Sequence, residues 1–583
     1  MTAEASHSSA SFSRKERVKE RMRSISFSVP TTFEKGEEEE TRRKTTYELR
    51  NVRIPISALV TDDDRNEEEE ECFYFRGVAD QAGLVSCAIT VDAGEGVILD
   101  VVARGNEDES EVEEDAGTVV VNCENSLLMP CFLDAHTHLI KTHTVERCRN
   151  PTGSIPDALG CELADQPRWL ERDGKTMKTD FERRFDFAVR SALYYGANGI
   201  RSHLDGTNNL ENKALRSEVF EVFKKKRLDL LETHGMYLQG VCNLYLPLWS
   251  EPSIADEFAK IAAATNDSEG GDSILLGAYC GVVGRSSGDH AETLDESRKH
   301  FKDLFSYADK YAMNVDVHID ETNDPNCCAV LLCLEAFLNE GDGNNASTFK
   351  NIRLLSLSHV CSLSLQSKAT IDRVIELAKR IDEETSTKVS FIVNPLTNLG
   401  LQDRRGTTDG VGIFIDKNIP RTPRWRGIAP IQELEHAGLN VCTGTDNVRD
   451  YWAPYADYDG IATLKSTFEV AHLNTAPNEG YWTKVIASSA AKAMFAKVPT
   501  PKIGLIRKNY RADFILLPQA RSFYELFARP SQHERIVFRK GKPALDTILP
   551  DYSELDDLVC VATDTAPFLN VEVKRGATLV SPK

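Results

Sequence analysis

Nothing in the 583-residue sequence is apolar for long enough to cross a bilayer. Its apolar runs, such as Phe391 to Val393 and Phe514 to Leu517, fall far short of the roughly 20 residues that a transmembrane helix needs. The N-terminus also lacks the apolar core of a secretory signal. No CxxC pair occurs among the 14 scattered cysteines, which excludes a zinc ribbon or a dithiol redox motif and reads as the reduced thiols of an intracellular protein. Positive charge is scarce: 69 Lys and Arg face 90 Asp and Glu, for a net charge of -21. Phosphate-backbone affinity comes from surplus cations, so neither nucleic acid nor a membrane is expected as a partner.

Hydrophobic residues make up 41% of the chain, enough for one large domain and an accessory one. Residues 1–44 combine Ser, Arg, Lys and a Glu run at Glu37 to Glu40 and read as a disordered tail. The Ser/Arg/Lys bias from Ser8 to Arg23 is of the transit-peptide kind, but Glu4, Glu16 and Glu20 oppose it, and a cytoplasmic location is expected.

From Tyr47 the pattern turns to short strands: Tyr47 to Ile54, Cys72 to Phe75, Leu84 to Val91 and Val97 to Val102. The acidic runs Asp62 to Glu71 and Asn106 to Asp115 read as solvated loops. Over residues 128–498 apolar strands alternate with amphipathic segments, the spacing of βα units. Eight strands are expected, ending near His136, His203, Leu244, Tyr279, His318, His359, Asn394 and Asp446, the number that closes a (β/α)8 TIM barrel. Strands at Asp513 to Leu517 and Arg535 to Arg539 return to the earlier pattern. The expected fold is α/β: a barrel with a small composite β-sandwich domain built from residues 45–127 and 499–562, and a C-terminal tail over 563–583.

The chemistry-bearing residues fall at the ends of those strands, where barrel active sites are built. Met129 to Leu139 is an apolar strand that ends in the pair His136 and His138, spaced so that both rings can face one ion. Alone, an HxH is weak. Asn314 to Glu321 adds His318 with Glu321 three residues on, Leu354 to His359 adds another histidine, and Leu439 to Asp446 adds a carboxylate. Together they supply three imidazoles and a carboxylate for a borderline cation such as zinc or ferrous iron, and leave a fourth histidine and a Glu for proton handling.

The ordered set Phe132 to Leu139, Gly199 to Asp205, Asp316 to Glu321, Ser358-His359, Asn394 to Leu399 with Gln402 and Arg404, and Gly444 to Asp446 with Trp452 resembles the amidohydrolase superfamily and its cytosine deaminase-like group. The resemblance runs from about Tyr47 to Pro543. It implies metal ligands His136, His138, His318 and Asp446, with His359 orienting the attacking water, Asp446 taking its proton and Glu321 acting as general acid and base. It gives His203 and Asp205 a supporting role. No lysine stands in the strand Ile274 to Tyr279, where binuclear relatives carry a bridging one, so one divalent ion, Zn2+ or Fe2+, is expected.

Implied, then, is hydrolysis of a non-peptide carbon–nitrogen bond, with deamination of a cytosine-like nitrogen heterocycle as the leading form. Tyr245, Asn447 and Trp452 are the substrate-binding candidates. Tyr245 stands where the family pattern has a pyrimidine-reading glutamine, Ile140 and Lys141 follow His-Thr-His-Leu where an Asp is usual, and Asn447 replaces a second Asp. These departures keep other cyclic amides, lactones, N-alkyl aminotriazines and a catalytically retired scaffold in view. A homo-oligomer is compatible with the resemblance.

Overall fold

The computed structural model describes residues 13–23, 45–61, 75–104, 118–266, 273–280, 294–340, 347–404, 422–475, 477–496, 501–530, 534–545 and 547–559. Four strands come first: β1 (Thr46–Pro55), β2 (Leu84–Asp92), β3 (Val97–Ala103) and β4 (Val119–Pro130). Eight parallel strands follow: β5 (Phe132–Thr137), β6 (Ala197–His203), β7 (Tyr237–Tyr245), β8 (Ile274–Tyr279), β9 (Val315–Ile319), β10 (Leu354–His359), β11 (Lys388–Val393) and β12 (Asn440–Thr443). The chain then returns through β13 (Phe514–Leu517), β14 (Ile536–Arg539) and β15 (Lys542–Pro543).

The parallel strands are the eight expected from the sequence. Buried on both faces, they read as near-continuous apolar runs; every residue of β6 and β10 is buried. The sheet runs in order from β5 to β12. It closes through a parallel bridge between Thr137 and Asp446, with Asp446 N–H donating to His136 O at 2.9 Å and His138 N–H to Asp446 O at 3.2 Å. Gly444 permits this approach, since a Cβ there would sit 2.4 Å from the His136 carbonyl oxygen.

The helix Asp180–Tyr195 shows how the outer layer is specified. Thr179 caps it by accepting from Glu182 N–H, Phe181, Phe185, Ala188 and Ala192 bury one stripe against the barrel, and Gly196 ends it with φ 97°.

β13, β14 and β15 join β4, β1, β2 and β3 in one seven-stranded sheet, so both ends of the chain build the second domain. The sheet folds over itself. Ile98 N–H donates to Tyr510 O at 2.9 Å and Asn509 N–H to Ile98 O at 2.8 Å, enclosing a core that includes Leu49, Val52, Ile89, Phe514 and Phe538.

The segment expected to be a disordered tail needs correction over part of its length. Arg14–Arg23 is a helix with Val18 and Met22, one turn apart, fully buried in the core of the β domain. Its basic residues reach the sheet: Arg17 pairs with Glu124 at 2.7 Å and Arg21 Nη1 donates to Asn122 O at 2.9 Å. Two apolar residues gave too little periodicity to read as a helix. Phe75 likewise opens a helical turn over residues 75–78 instead of ending a strand. The rest of residues 1–44, the acidic runs Asp62 to Glu71 and Asn106 to Asp115, and residues 563–583 lie outside the described residues. Among those described, no helix is long and apolar enough to cross a membrane.

Candidate active site

His136, His138, His318, His359, Glu321 and Asp446 meet at the end of the barrel where the strands finish. His138 Nε2 lies 3.4 Å from His318 Nε2 and 3.4 Å from Asp446 Oδ1, and His136 Nε2 lies 3.5 Å from the same oxygen. Ligands about 2.1 Å from a tetrahedral ion stand about 3.4 Å apart. His136 Nε2 and both carboxylate oxygens of Asp446 are buried with no hydrogen-bond partner among the described residues. Such groups are costly to bury unless something else satisfies them. Both the donor set and its spacing fit a divalent cation.

Two of the rings, His138 and His136, are aimed from behind. His138 Nδ1 is 2.9 Å from Asp205 Oδ1, which holds the proton on Nδ1 and leaves Nε2 toward Asp446. His136 Nδ1 lies 2.9 Å from Ser358 Oγ, which itself donates to Asp316 Oδ1 at 3.2 Å. Asp316 is held in turn by the fully buried guanidinium of Arg201, at 2.9 Å. His203 Nε2 stands 3.0 Å from that same His136 Nδ1, and Asn243 contacts the far side of the His203 ring at 2.9 Å. His203 thus backs His136 while lying in the same imidazole cluster.

Charge follows this geometry. Burial drives His318 and His203 well below the usual histidine range, and takes His136 down to about 4 against the pull of Asp446. Neutral imidazoles are what a cation requires. Burial also pulls His138 down, but Asp205 outweighs it and the ring is held up at about 9. For Asp446, burial would raise the carboxyl, yet His359, His136 and His138 hold it well below the usual range.

His359 and Asp446 have φ of 74° and 61°, a region that ordinary side chains rarely adopt and that clusters at functional sites. His359 Nδ1 is 3.0 Å from Asn398 Nδ2 and 3.5 Å from Glu321 Oε1. Burial raises the Glu321 carboxyl against the pull of His359, and its side chain keeps 18% of its surface open. That acid is therefore protonatable and reachable from solvent.

The substrate-binding candidates divide. Tyr245 is 37% exposed at the rim, its ring 5.4 Å from that of Tyr279. Asn447 turns its amide to Asp450 Oδ2 at 2.9 Å and its N–H to Thr397. Trp452 donates from Nε1 to Glu162 Oε2 at 3.1 Å and presents its ring face to Lys141 Nζ at 4.8 Å. The sequence assigned no role to Asn398, Ser358 or Glu162; Asn398 and Ser358 lie within the Asn394 to Leu399 and Ser358-His359 matches, whereas Glu162 carries no local signal of a role. A cavity of about 910 Å³ lies at the opposite end of the barrel, lined by the strand starts Leu354, Lys388 and Asn440, away from this chemistry.

A parallel barrel with histidines and carboxylates gathered at its carboxyl-terminal mouth defines a hydrolase with a candidate metal centre. The amidohydrolase family model matches residues 248–543, just over half of the chain, and the chain belongs to that family. It is a hydrolytic enzyme of non-peptide carbon–nitrogen bonds. A pterin deaminase of Rhizobium rhizogenes is 28% identical over 479 residues, covering 82% of this chain and 92% of that protein. The crystal structure of 5-methylcytosine deaminase from Klebsiella pneumoniae liganded with 5-fluorocytosine has a TM-score of 0.59 at 18% identity, covering 86% and 98%. That of atrazine chlorohydrolase from Arthrobacter aurescens complexed with zinc has a TM-score of 0.52 at 12% identity, covering 88% and 99%.

Proposed function

We propose that the chain is a cytoplasmic deaminase that hydrolyses the exocyclic C–N bond of an amino-substituted nitrogen heterocycle, with a pterin-like fused ring ahead of a cytosine-like one. Water adds to the amino-bearing ring carbon, the C–N bond breaks, and the products are a ring carbonyl and ammonia. Extended similarity to a pterin deaminase supports the fused ring. The observation that carries the reading is the convergence of the Nε2 atoms of His138, His136 and His318 and of Asp446 Oδ1, with His136 Nε2 and both Asp446 oxygens unpartnered in a buried site.

His136, His138, His318 and Asp446 would hold one divalent cation, zinc or ferrous iron. Bound there, such an ion lowers the pKa of water from 15.7 to about 7. The absence of a lysine from β8 favours one ion over two. Asp446 Oδ2, 3.9 Å from His359 Nδ1, accepts the water proton while His359 orients the water. Glu321, raised by burial, delivers a proton to the ring nitrogen and then to the departing amine. Tyr245 and Trp452 offer aromatic faces to a planar ring, and Asn447 acts through Asp450.

The test is ammonia release by metal-analysed protein from pterin, cytosine, isocytosine, guanine and aminotriazines, with Glu321→Gln as control. A Glu321-dependent signal names the ring. Silence across the panel at full metal occupancy sinks the deaminase reading and directs attention to cyclic amides, lactones or a scaffold role.

A further inference from the structure

Beside the histidine cluster lies a buried ion pair that the deamination steps leave unused. Lys141 is 5% exposed, and Glu162, on the helix Ile155–Asp165, is 6% exposed. Lys141 Nζ donates to Glu162 Oε2 at 3.3 Å, and its next acceptor, Asp205 Oδ1, is 3.5 Å away. An ammonium carries three N–H donors, so one long hydrogen bond leaves a buried cation short of acceptors. Glu162 is the converse. Its Oε2 takes both Lys141 and the indole N–H of Trp452 at 3.1 Å, while no hydrogen bond to Oε1 is made among the described residues. An unspent donor therefore stands next to an unspent acceptor.

The pair belongs to the reaction chamber. Asp205, 3.5 Å from Lys141, is the carboxylate that fixes His138. Trp452 lies beneath the ammonium at 4.8 Å, and the charge of Lys141 is felt at both Glu321 and Asp446.

We propose that Lys141 Nζ and Glu162 Oε1 read a lactam edge on the ring fused to the amino-bearing one, a ring carbonyl beside a ring N–H. The carbonyl accepts from Lys141 and the N–H donates to Glu162. This rests on the deaminase reading and adds the ring edge that is selected. A ring with only acceptor nitrogens on that edge sets a lone pair against Oε1, and a site built for a hydrogen bond rejects a partner that cannot complete it. Asp205 and Trp452 hold the two charges in place.

The experiment compares ammonia release from pterin, whose second ring offers acceptor nitrogens only, with release from 6-oxopterin and 7-oxopterin, which carry a lactam there. Wild-type kcat/KM is expected to be higher by about tenfold or more on one of the lactams. Glu162→Gln sharpens the test. Lys141 and Trp452 both need an acceptor at the Oε2 position, so the amide oxygen settles there and the NH2 replaces Oε1, turning acceptor into donor. The lactam-to-pterin ratio of kcat/KM should then fall by about tenfold or more; a merely structural loss would scale all three substrates together. Absence of a wild-type lactam preference, or equal scaling in Glu162→Gln, overturns this inference and leaves the deaminase reading standing. No ammonia from any of the three, or from cytosine, at full metal occupancy overturns both. If Glu162→Gln does not fold, the wild-type preference decides alone.

Discussion

His138 and Asp446 are joined twice, once through the backbone and once through their side chains. His138 N–H donates to Asp446 O at 3.2 Å, and His138 Nε2 faces Asp446 Oδ1 at 3.4 Å. The first contact closes the barrel between β5 and the residues after β12; the second builds the candidate metal centre. Closure and chemistry therefore share one seam, and a left-handed φ of 61° at Asp446 is held by barrel closure itself.

Glu321→Gln separates chemistry from architecture. Its contacts to His359 and Asn398 are both long, at 3.5 Å, so an isosteric amide costs little structure while removing the proton donor. Turnover is expected to fall by about 10²- to 10⁴-fold, with metal content and melting temperature retained. A variant that keeps wild-type turnover would remove Glu321 from the mechanism.

Asp205→Asn tests the aim of His138. The carboxylate now accepts from Nδ1 through both its oxygens, at 2.9 and 3.0 Å, and an amide supplies one acceptor and a competing donor. Metal affinity is expected to drop by about 10- to 100-fold, measured by competition with a chelator. The proton that Asp205 stabilises on His138 is also weakened, so the effect belongs to ring orientation if His136 and His318 stay in place by NMR.

Much of this site was legible in the sequence because barrel strands are short, apolar and end abruptly. His136, His318 and His359 each close such a run, and the strand ends expected from the pattern fall within a few residues of those observed. What escaped has no local period. Glu162 is a helix residue that the fold brings to Trp452, 290 positions away, whose indole N–H donates to it. Ser358 stands in the matched Ser358-His359 pair, but its place between Asp316 and His136 is set by the fold alone. Helix Arg14–Arg23 hid because its buried face is two residues wide.

Val18→Asp probes that helix. Val18 is fully buried beside Met22, and complete burial of a valine is worth about 1.5–3 kcal/mol; an aspartate there adds the cost of an unpaired charge. The helix is expected to detach, with amides 14–23 losing protection in hydrogen exchange while barrel amides keep theirs. Wild-type protection across 14–23 in the variant would show that the helix does not depend on its apolar face.

Removal of the cation should destabilise the barrel mouth more than the β domain. Without it, Asp446 has two buried oxygens lacking hydrogen bonds, facing imidazoles that burial holds neutral at His136 and His318. An ion that binds only the folded state adds RT ln(1 + [M]/Kd), about 4 kcal/mol at a thousandfold excess over Kd. Chelation is therefore expected to lower the melting temperature, and stoichiometric zinc or ferrous iron to restore it. The size of the recovery should be larger in wild type than in Asp446→Asn, because the amide gives up the one formal negative charge in the ligand set. Equal recovery in both proteins would mean that the ion stabilises the chain from somewhere other than this cluster.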